Sequence, residues 1–419
     1  MLAGTSKHVP YRMPHQPQRG RRPGLSPAFL AVLYGLLLAY GTLYPLSGWE
    51  PPLTSPWMLV LAAATQPLSR SDILTNFVVY LPFGFLLAQV WGRRTGWAAA
   101  ILISTLVGAL VSVTLEYLQA YLPNRVPSLL DIGLNTLGSL TGALIAAGLR
   151  ADGAIGCRLQ TLRNEYVEPG ALGLLGGFVA LLWALSQLSP LVPSLDVGNL
   201  RDGLKLLWHT LNGRSPFEVV KATLYALQVT GLGVVASTAL QSTQHRSWLF
   251  AGFVLAILSL KVPVVGQQLS LEALAGAGLG LLVTHRLNGA SPGLRHSVGA
   301  LALLSAVGLA ALRPGAGTLL ETTAFNWIPF RLHLANSVIG LMDLTAGIWP
   351  FVALAYLALR SEPRSLPLSS VSGALGVFGF VFVLEWCQRA LPGRSPDITD
   401  ALIALAAWTI PWLHPKLRP

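Results

Sequence analysis

Long apolar runs separated by short polar breaks organise this chain of 419 residues. A helix needs about 20 apolar residues to cross the ~30 Å hydrocarbon core of a bilayer. Twelve stretches reach or approach that length: 27–46, 72–91, 97–119, 129–149, 170–191, 217–240, 247–265, 269–286, 297–313, 341–360, 370–389 and 398–413. Backbone N–H and C=O groups in lipid must be satisfied within their own segment, so each stretch predicts a helix. The expected fold class is all-α, a polytopic transmembrane helical bundle of about twelve spans.

The spans fall into three sets of four, starting near residues 27, 170 and 297, and each set begins with a long first outer loop. This predicts a disordered cytoplasmic tail over 1–26 and four-helix units over 27–150, 151–290 and 291–419. Arg21-Arg22 ahead of an apolar run invites a signal-peptide reading. No clean small-x-small site follows, which favours an uncleaved first helix.

One polar pattern is written twice at the end of an apolar stretch. Residues 115–131 read LEYLQAYLPNRVPSLLD and residues 384–400 read LEWCQRALPGRSPDITD, agreeing at 8 of 17 positions at an offset of 269. Unrelated stretches would share about one, so the match indicates internal duplication. Glu116 and Gln119 are three apart and share a helix face. Leu-Pro then breaks the helix, Arg125 lies in the connection, and Asp131 falls in the first turn of the next span. Glu385, Gln388, Arg394 and Asp400 repeat the spacing, while Asn135, one turn past Asp131, corresponds to Ala404. In the middle unit only Glu272 survives, opposite Asp131, with Ile257, Leu260 and Gly266 at the other places.

Composition sharpens the membrane assignment. The chain is 53% apolar and 11% charged with a mean hydropathy of +0.58, against roughly 25% charged residues in soluble domains. The net charge of +11 is spread as single residues between apolar segments, without the basic run or stacking platform that nucleic-acid binding would call for. With the N-terminus inside, inner loops and tails carry 17 of the 28 Lys and Arg and the outer face 11. Positive-inside sorting thus places both termini in the cytoplasm of a multi-pass membrane protein, and both copies of the signature at the outer face. Cys157 and Cys387 then lie on opposite sides, which argues against a disulfide. Without a CxxC or Cys/His cluster, neither metal nor cofactor is expected.

Two readings of the signature stand side by side. As a ligand site, Arg125 and Arg394 could grip a phosphate or carboxylate, while Glu116, Gln119, Asp131, Asn135, Glu385, Gln388 and Asp400 would meet hydroxyls and amides of a headgroup or sugar. As structure, Ser128 and Asp131 match a capping box, Asp397 and Asp400 supply acid to the same helix start, and Arg125 neutralises Glu116. No candidate nucleophile stands beside a histidine base, which argues against an enzyme. Gly138-x3-Gly142 and Gly276-x3-Gly280 permit close helix packing.

With these residues in view, the chain resembles the VanZ-like family of bacterial membrane proteins, named for a teicoplanin-resistance protein. The first unit carries Asn76, Pro82-Phe83-Gly84, Glu116, Gln119, Arg125, Asp131, Asn135 and Gly138, but has Trp49-Glu50-Pro51-Pro52 where the family has Asn-x-x-Pro-Phe. The last unit carries Asn326-Trp327-Ile328-Pro329-Phe330, Glu385, Gln388, Arg394 and Asp400, and departs at Pro350 and Ala404. The resemblance implies a role in the bacterial cell envelope and in glycopeptide susceptibility, without implying a reaction. The expected partners are the lipid bilayer and an anionic or glycosylated envelope component, such as a glycolipid or a peptidoglycan or exopolysaccharide precursor. The alternatives are a transporter or flippase of such precursors and a membrane-embedded transferase.

Overall fold

A computed structural model describes residues 26–43, 48–62, 70–122, 125–150, 153–189, 194, 196–241, 245–315, 323–331, 337–361, 366–413 and 417. The N-terminal tail expected over 1–26 lies almost wholly outside them. The described residues form helices and no strand: α1 (Pro27–Leu43), α2 (Pro56–Ala62), α3 (Arg70–Thr95), α4 (Trp97–Gln119), α5 (Leu129–Gly148), α6 (Ala154–Tyr166), α7 (Ala171–Leu188), α8 (Val197–Leu211), α9 (Val219–Ala239), α10 (Arg246–Ser259), α11 (Leu271–Leu287), α12 (Pro292–Ala311), α13 (Ser337–Ser361), α14 (Leu366–Gln388) and α15 (Thr399–Leu413). The protein is an all-α polytopic bundle. Eight helices, namely α3, α4, α5, α7, α9, α12, α13 and α14, are long and apolar enough to cross a membrane, and α1, α10 and α15 are shorter apolar helices. The remaining stretch expected to span holds the 17-residue α11, packed along α9.

Lipid tails are as apolar as the helices, so helix association depends on close packing rather than on removal of apolar surface from water. Glycine supplies that closeness. A Cβ on Gly138 would stand 2.2 Å from Phe77 O, one on Gly142 2.0 Å from Leu81 O, and one on Gly84 2.0 Å from Ser139 O. These contacts seat α5 against α3. The second glycine pair seats α11 on α9 in the same way, with Gly276 against Ala222 O at 2.2 Å and Gly280 against Ala226 O at 2.8 Å.

Core packing is unequal along the chain. Between α1 and α5 the buried apolar residues form separate small clusters, around Tyr80–Phe83, Leu115–Leu122 and Ala143–Ala146. From α7 onward one continuous cluster runs from Val179 through Trp183, Leu303 and Tyr356 to Leu417. In that half α7 packs on α13 and α12 packs on α9, while α9 and α13 also touch.

Three helices fall outside the twelve predicted stretches. The most informative is α8, in the long loop before α9. Asp196 caps it through Gly198 N at 3.0 Å, and Leu269 N donates to Gly203 O at 2.8 Å, holding it against the α10–α11 connection. Val197, Leu204, Trp208 and Leu211 are exposed, as are Arg201, Asp202 and Lys205. At 15 residues with Arg201, Asp202 and Lys205 inside it, α8 is too short and too charged to read as a span.

Candidate functional site

Both copies of the signature form the same hairpin. In the first, α4 ends at Gln119, a tight turn follows (Leu122 N to Gln119 O at 2.9 Å, Arg125 N to Leu122 O at 3.0 Å), and α5 begins after Ser128. Glu116 is only 3% exposed, and its Oε2 accepts the Ser128 backbone N–H at 2.9 Å. Ser128 Oγ in turn accepts Leu130 N at 3.2 Å, capping α5. In the second copy Glu385 is 4% exposed, and its Oε2 accepts Asp397 N at 3.1 Å. Asp397 Oδ1 accepts Thr399 N at 2.7 Å. A buried carboxylate therefore pins the start of the following helix from twelve residues upstream in both copies. The backbone N–H that a capping box would hand to Asp131 goes to Glu116 instead.

The other signature residues divide between the hairpin and its neighbours. Gln119 Nε2 donates to Thr42 O in the last turn of α1 at 3.1 Å, and Gln388 Nε2 donates to Glu385 Oε1 at 2.6 Å. Arg394 turns toward the end of α12, where Nε donates to Arg313 O at 2.8 Å and Nη2 to Ala310 O at 2.6 Å, satisfying carbonyls that a helix end leaves open. Arg125 and Asp131 are half-buried and both within electrostatic reach of Glu116. Asp400 is exposed and within reach of Glu385. The hairpins thus gather glutamate and aspartate in each copy, with Arg125 joining the first, while Arg394 serves α12.

Asn326-Trp327-Ile328-Pro329-Phe330 docks directly on the second hairpin. Asn326 N donates to Pro396 O at 3.0 Å and Ile398 N to Asn326 O at 3.1 Å, while Phe330 N donates to Thr399 Oγ1 at 2.9 Å. Phe330 adopts φ +62° to make that turn, an uncommon backbone state for a bulky residue. Tyr40 of α1 reaches the same strap, donating its hydroxyl to Pro329 O at 2.8 Å and meeting the Phe330 ring edge-on. At the first hairpin the corresponding contact is slighter, with Glu50 N to Tyr121 O at 2.8 Å.

Below the first hairpin a column of polar side chains runs into the bundle between α3, α4 and α5. Ser104, Ser112 and Ser139 are fully buried, with Asn135 and Tyr80 nearly so. Asn135 Nδ2 donates to Ser112 Oγ at 2.9 Å. Asn135 Oδ1, Ser104 Oγ and Ser139 Oγ have no hydrogen-bond partner among the described residues. Buried groups with unused hydrogen-bonding capacity are costly and call for a guest, commonly water. At the matching places of the second copy stand Gly373, Val381, Ala404 and Trp408, which offer no such column. Asn135 was legible as a candidate. The serines were passed over, although Ser104, Ser112 and Glu116 recur at multiples of four residues along one face of α4.

A bundle of apolar helices with a carboxylate-pinned hairpin at one end defines a multi-pass membrane protein. Residues 31–150, from within α1 to just past the end of α5, match the VanZ/LLP1 family model. That stretch is a VanZ-like module and contains the first hairpin and its polar column; the match does not extend to the second hairpin. No curated protein and no solved structure matches the chain.

Proposed function

We propose that this VanZ-like protein acts in the bacterial inner membrane, where the first hairpin faces outward and receives the polar head of an anionic or glycosylated envelope component, altering glycopeptide susceptibility or envelope polysaccharide assembly. In this reading both termini are cytoplasmic, the chain comprises three four-helix units with twelve spans, and residues 291–419 form a second VanZ-like unit. The observation that carries it is the column beneath Glu116: Asn135 Oδ1, Ser139 Oγ and Ser104 Oγ are buried with hydrogen-bonding capacity left over. A helix cap needs no such groups, and polar atoms at this depth are expensive unless used. Hydroxyls or amides of an incoming head, or water that they displace, satisfy them. The second hairpin, lacking the column, serves as a scaffold.

The test is a deletion strain complemented with the double variant Ser112→Ala/Asn135→Leu. Removing both partners together avoids orphaning either. The expected outcome is loss of the effect on teicoplanin susceptibility or surface polysaccharide while the protein accumulates and runs as a single species in detergent. A folded double variant that complements fully refutes the site.

A further inference from the structure

The end of the bundle opposite the two hairpins gathers arginines. Arg246 opens α10, Arg295 lies in the first turns of α12 and Arg360 in the last turn of α13. His296 Nδ1 lies 2.9 Å from Ser361 Oγ, which brings the start of α12 beside the end of α13. Glu168 is the carboxylate among them. It pairs with Arg360 and is held by its own N–H to Ala239 O at 2.8 Å. Arg360 also donates to Thr238 O. Arg246 is occupied by Ser237 O at 2.8 Å and Asn288 Oδ1 at 3.3 Å. By contrast, Arg295 Nε and His296 Nε2 are buried with no hydrogen-bond partner among the described residues. Arg295 is close enough to both Arg246 and His296 for its charge to act on them.

Glu168, Thr238, Gln241, Arg295, His296 and Arg360 form the polar lining of a pocket of about 450 Å³, and Arg246 lies outside it. His296 also lines a second pocket, of about 520 Å³, whose walls include Leu304, Leu357, Val377, Phe380 and Trp408. One chamber is polar with cations in excess of its carboxylate, the other is almost wholly apolar, and they share a wall. Gly376 lines the apolar chamber, and a Cβ built there meets nothing within 4 Å, so a larger side chain has room to enter it. A free phosphate would use only the first chamber and a neutral lipid chain only the second.

We propose that the two chambers together hold an anionic phospholipid, with its phosphate against Arg295 and His296 and one acyl chain between α12, α13 and α14. Basic pockets between helices suit anionic headgroups, and guanidinium is the group best shaped to take phosphate oxygens in pairs. The site is independent of the hairpin column and would survive its failure.

The test places the full chain in nanodiscs of equal phosphatidylglycerol and phosphatidylcholine and measures retained lipid by native mass spectrometry, with inorganic phosphate as a competitor. The wild type is expected to retain phosphatidylglycerol preferentially. Arg295→Gln should lower that retention about fivefold, the effect of removing one basic group from an anionic surface, and Arg295→Lys should restore much of it. Gly376→Leu fills the apolar chamber and should lower lipid retention without touching the polar lining. Equal retention of the two lipids by the wild type overturns the proposal, as does unchanged retention in folded Arg295→Gln. Unchanged lipid retention in Gly376→Leu, with displacement by inorganic phosphate, assigns the polar chamber to a soluble anion and also overturns it. If Arg295→Gln does not fold, the Gly376→Leu and competition results decide.

Discussion

Replacing the two buried glutamates with glutamine separates them sharply, although they stand at matching places. Glu116 offers Oε2 to one backbone donor, Ser128 N at 2.9 Å. The amide oxygen of a glutamine can take over that bond, so Glu116→Gln exchanges a charge-assisted hydrogen bond for a neutral one and costs about 1 kcal/mol. Glu385 uses both oxygens, Oε2 for Asp397 N at 3.1 Å and Oε1 for Gln388 Nε2 at 2.6 Å. A glutamine has one acceptor oxygen, so one donor there must face an NH2 group. Glu385→Gln therefore costs ~2–3 kcal/mol, the loss above plus a buried donor left unmet. Glu116→Ala strands Ser128 N and opens a void, costing ~2–4 kcal/mol. The assay is unfolding of the purified protein in dodecylmaltoside titrated with dodecyl sulfate, followed by tryptophan fluorescence. The expected order of stability is wild type, Glu116→Gln, then Glu385→Gln together with Glu116→Ala. Equal losses for the two glutamine variants, or Glu116→Gln as damaging as Glu116→Ala, would refute the hydrogen-bond assignment.

Other substitutions probe the packing and the strap, by the same titration and by hydrogen exchange. Gly133 lies in α5 with nothing within 4 Å of its would-be Cβ, so Gly133→Ala should stabilise by about 0.5–1 kcal/mol through backbone entropy. Gly142→Ala, whose Cβ would stand 2.0 Å from Leu81 O, should instead separate α5 from α3 and lower both stability and expression. Arg394→Lys cannot span Ala310 O and Arg313 O as the guanidinium does and should cost about 1 kcal/mol; a loss at the first hairpin instead of at α12, read by hydrogen exchange, would contradict that role. Tyr40→Phe removes the bond to Pro329 O while keeping the ring contact, and should raise exchange at residues 326–330 without affecting α9 or α11.

What could be read in advance was what depends on neighbours in sequence. Apolar run length located the helices, the Leu-Pro breaks located the hairpins, and the three-residue spacing put Glu116 and Gln119 on one face. The destinations of the polar groups were not readable, because their partners are remote. Gln119 answers a carbonyl 77 residues away and Arg394 one 81 residues away. Ser128 illustrates the limit well. Its capping role was legible from Ser-x-x-Asp, yet the acid that completes the helix start is Glu116 of the preceding helix. Helix α8 escaped because its 15 residues, with Arg201, Asp202 and Lys205 among them, have neither the length nor the uniform apolarity of a span. The serines of α4 escaped because single hydroxyls in apolar helices look harmless until α3 and α5 close over them.

The interlocked pairing of α7 with α13 and of α9 with α12 bears on how this chain can be divided. A cut between residues 150 and 153 crosses a stretch where few packed surfaces pass from one side to the other. Separately expressed pieces on either side should each insert, then reassociate through Tyr40 and the strap at residues 326–330. A cut near residue 290 would strip α7 and α9 of the helices that cover them. The stretch from α7 to α11 carries no glutamate–glutamine–arginine signature, yet it cannot be discarded, because it is the other half of the mould in which α12 and α13 are cast.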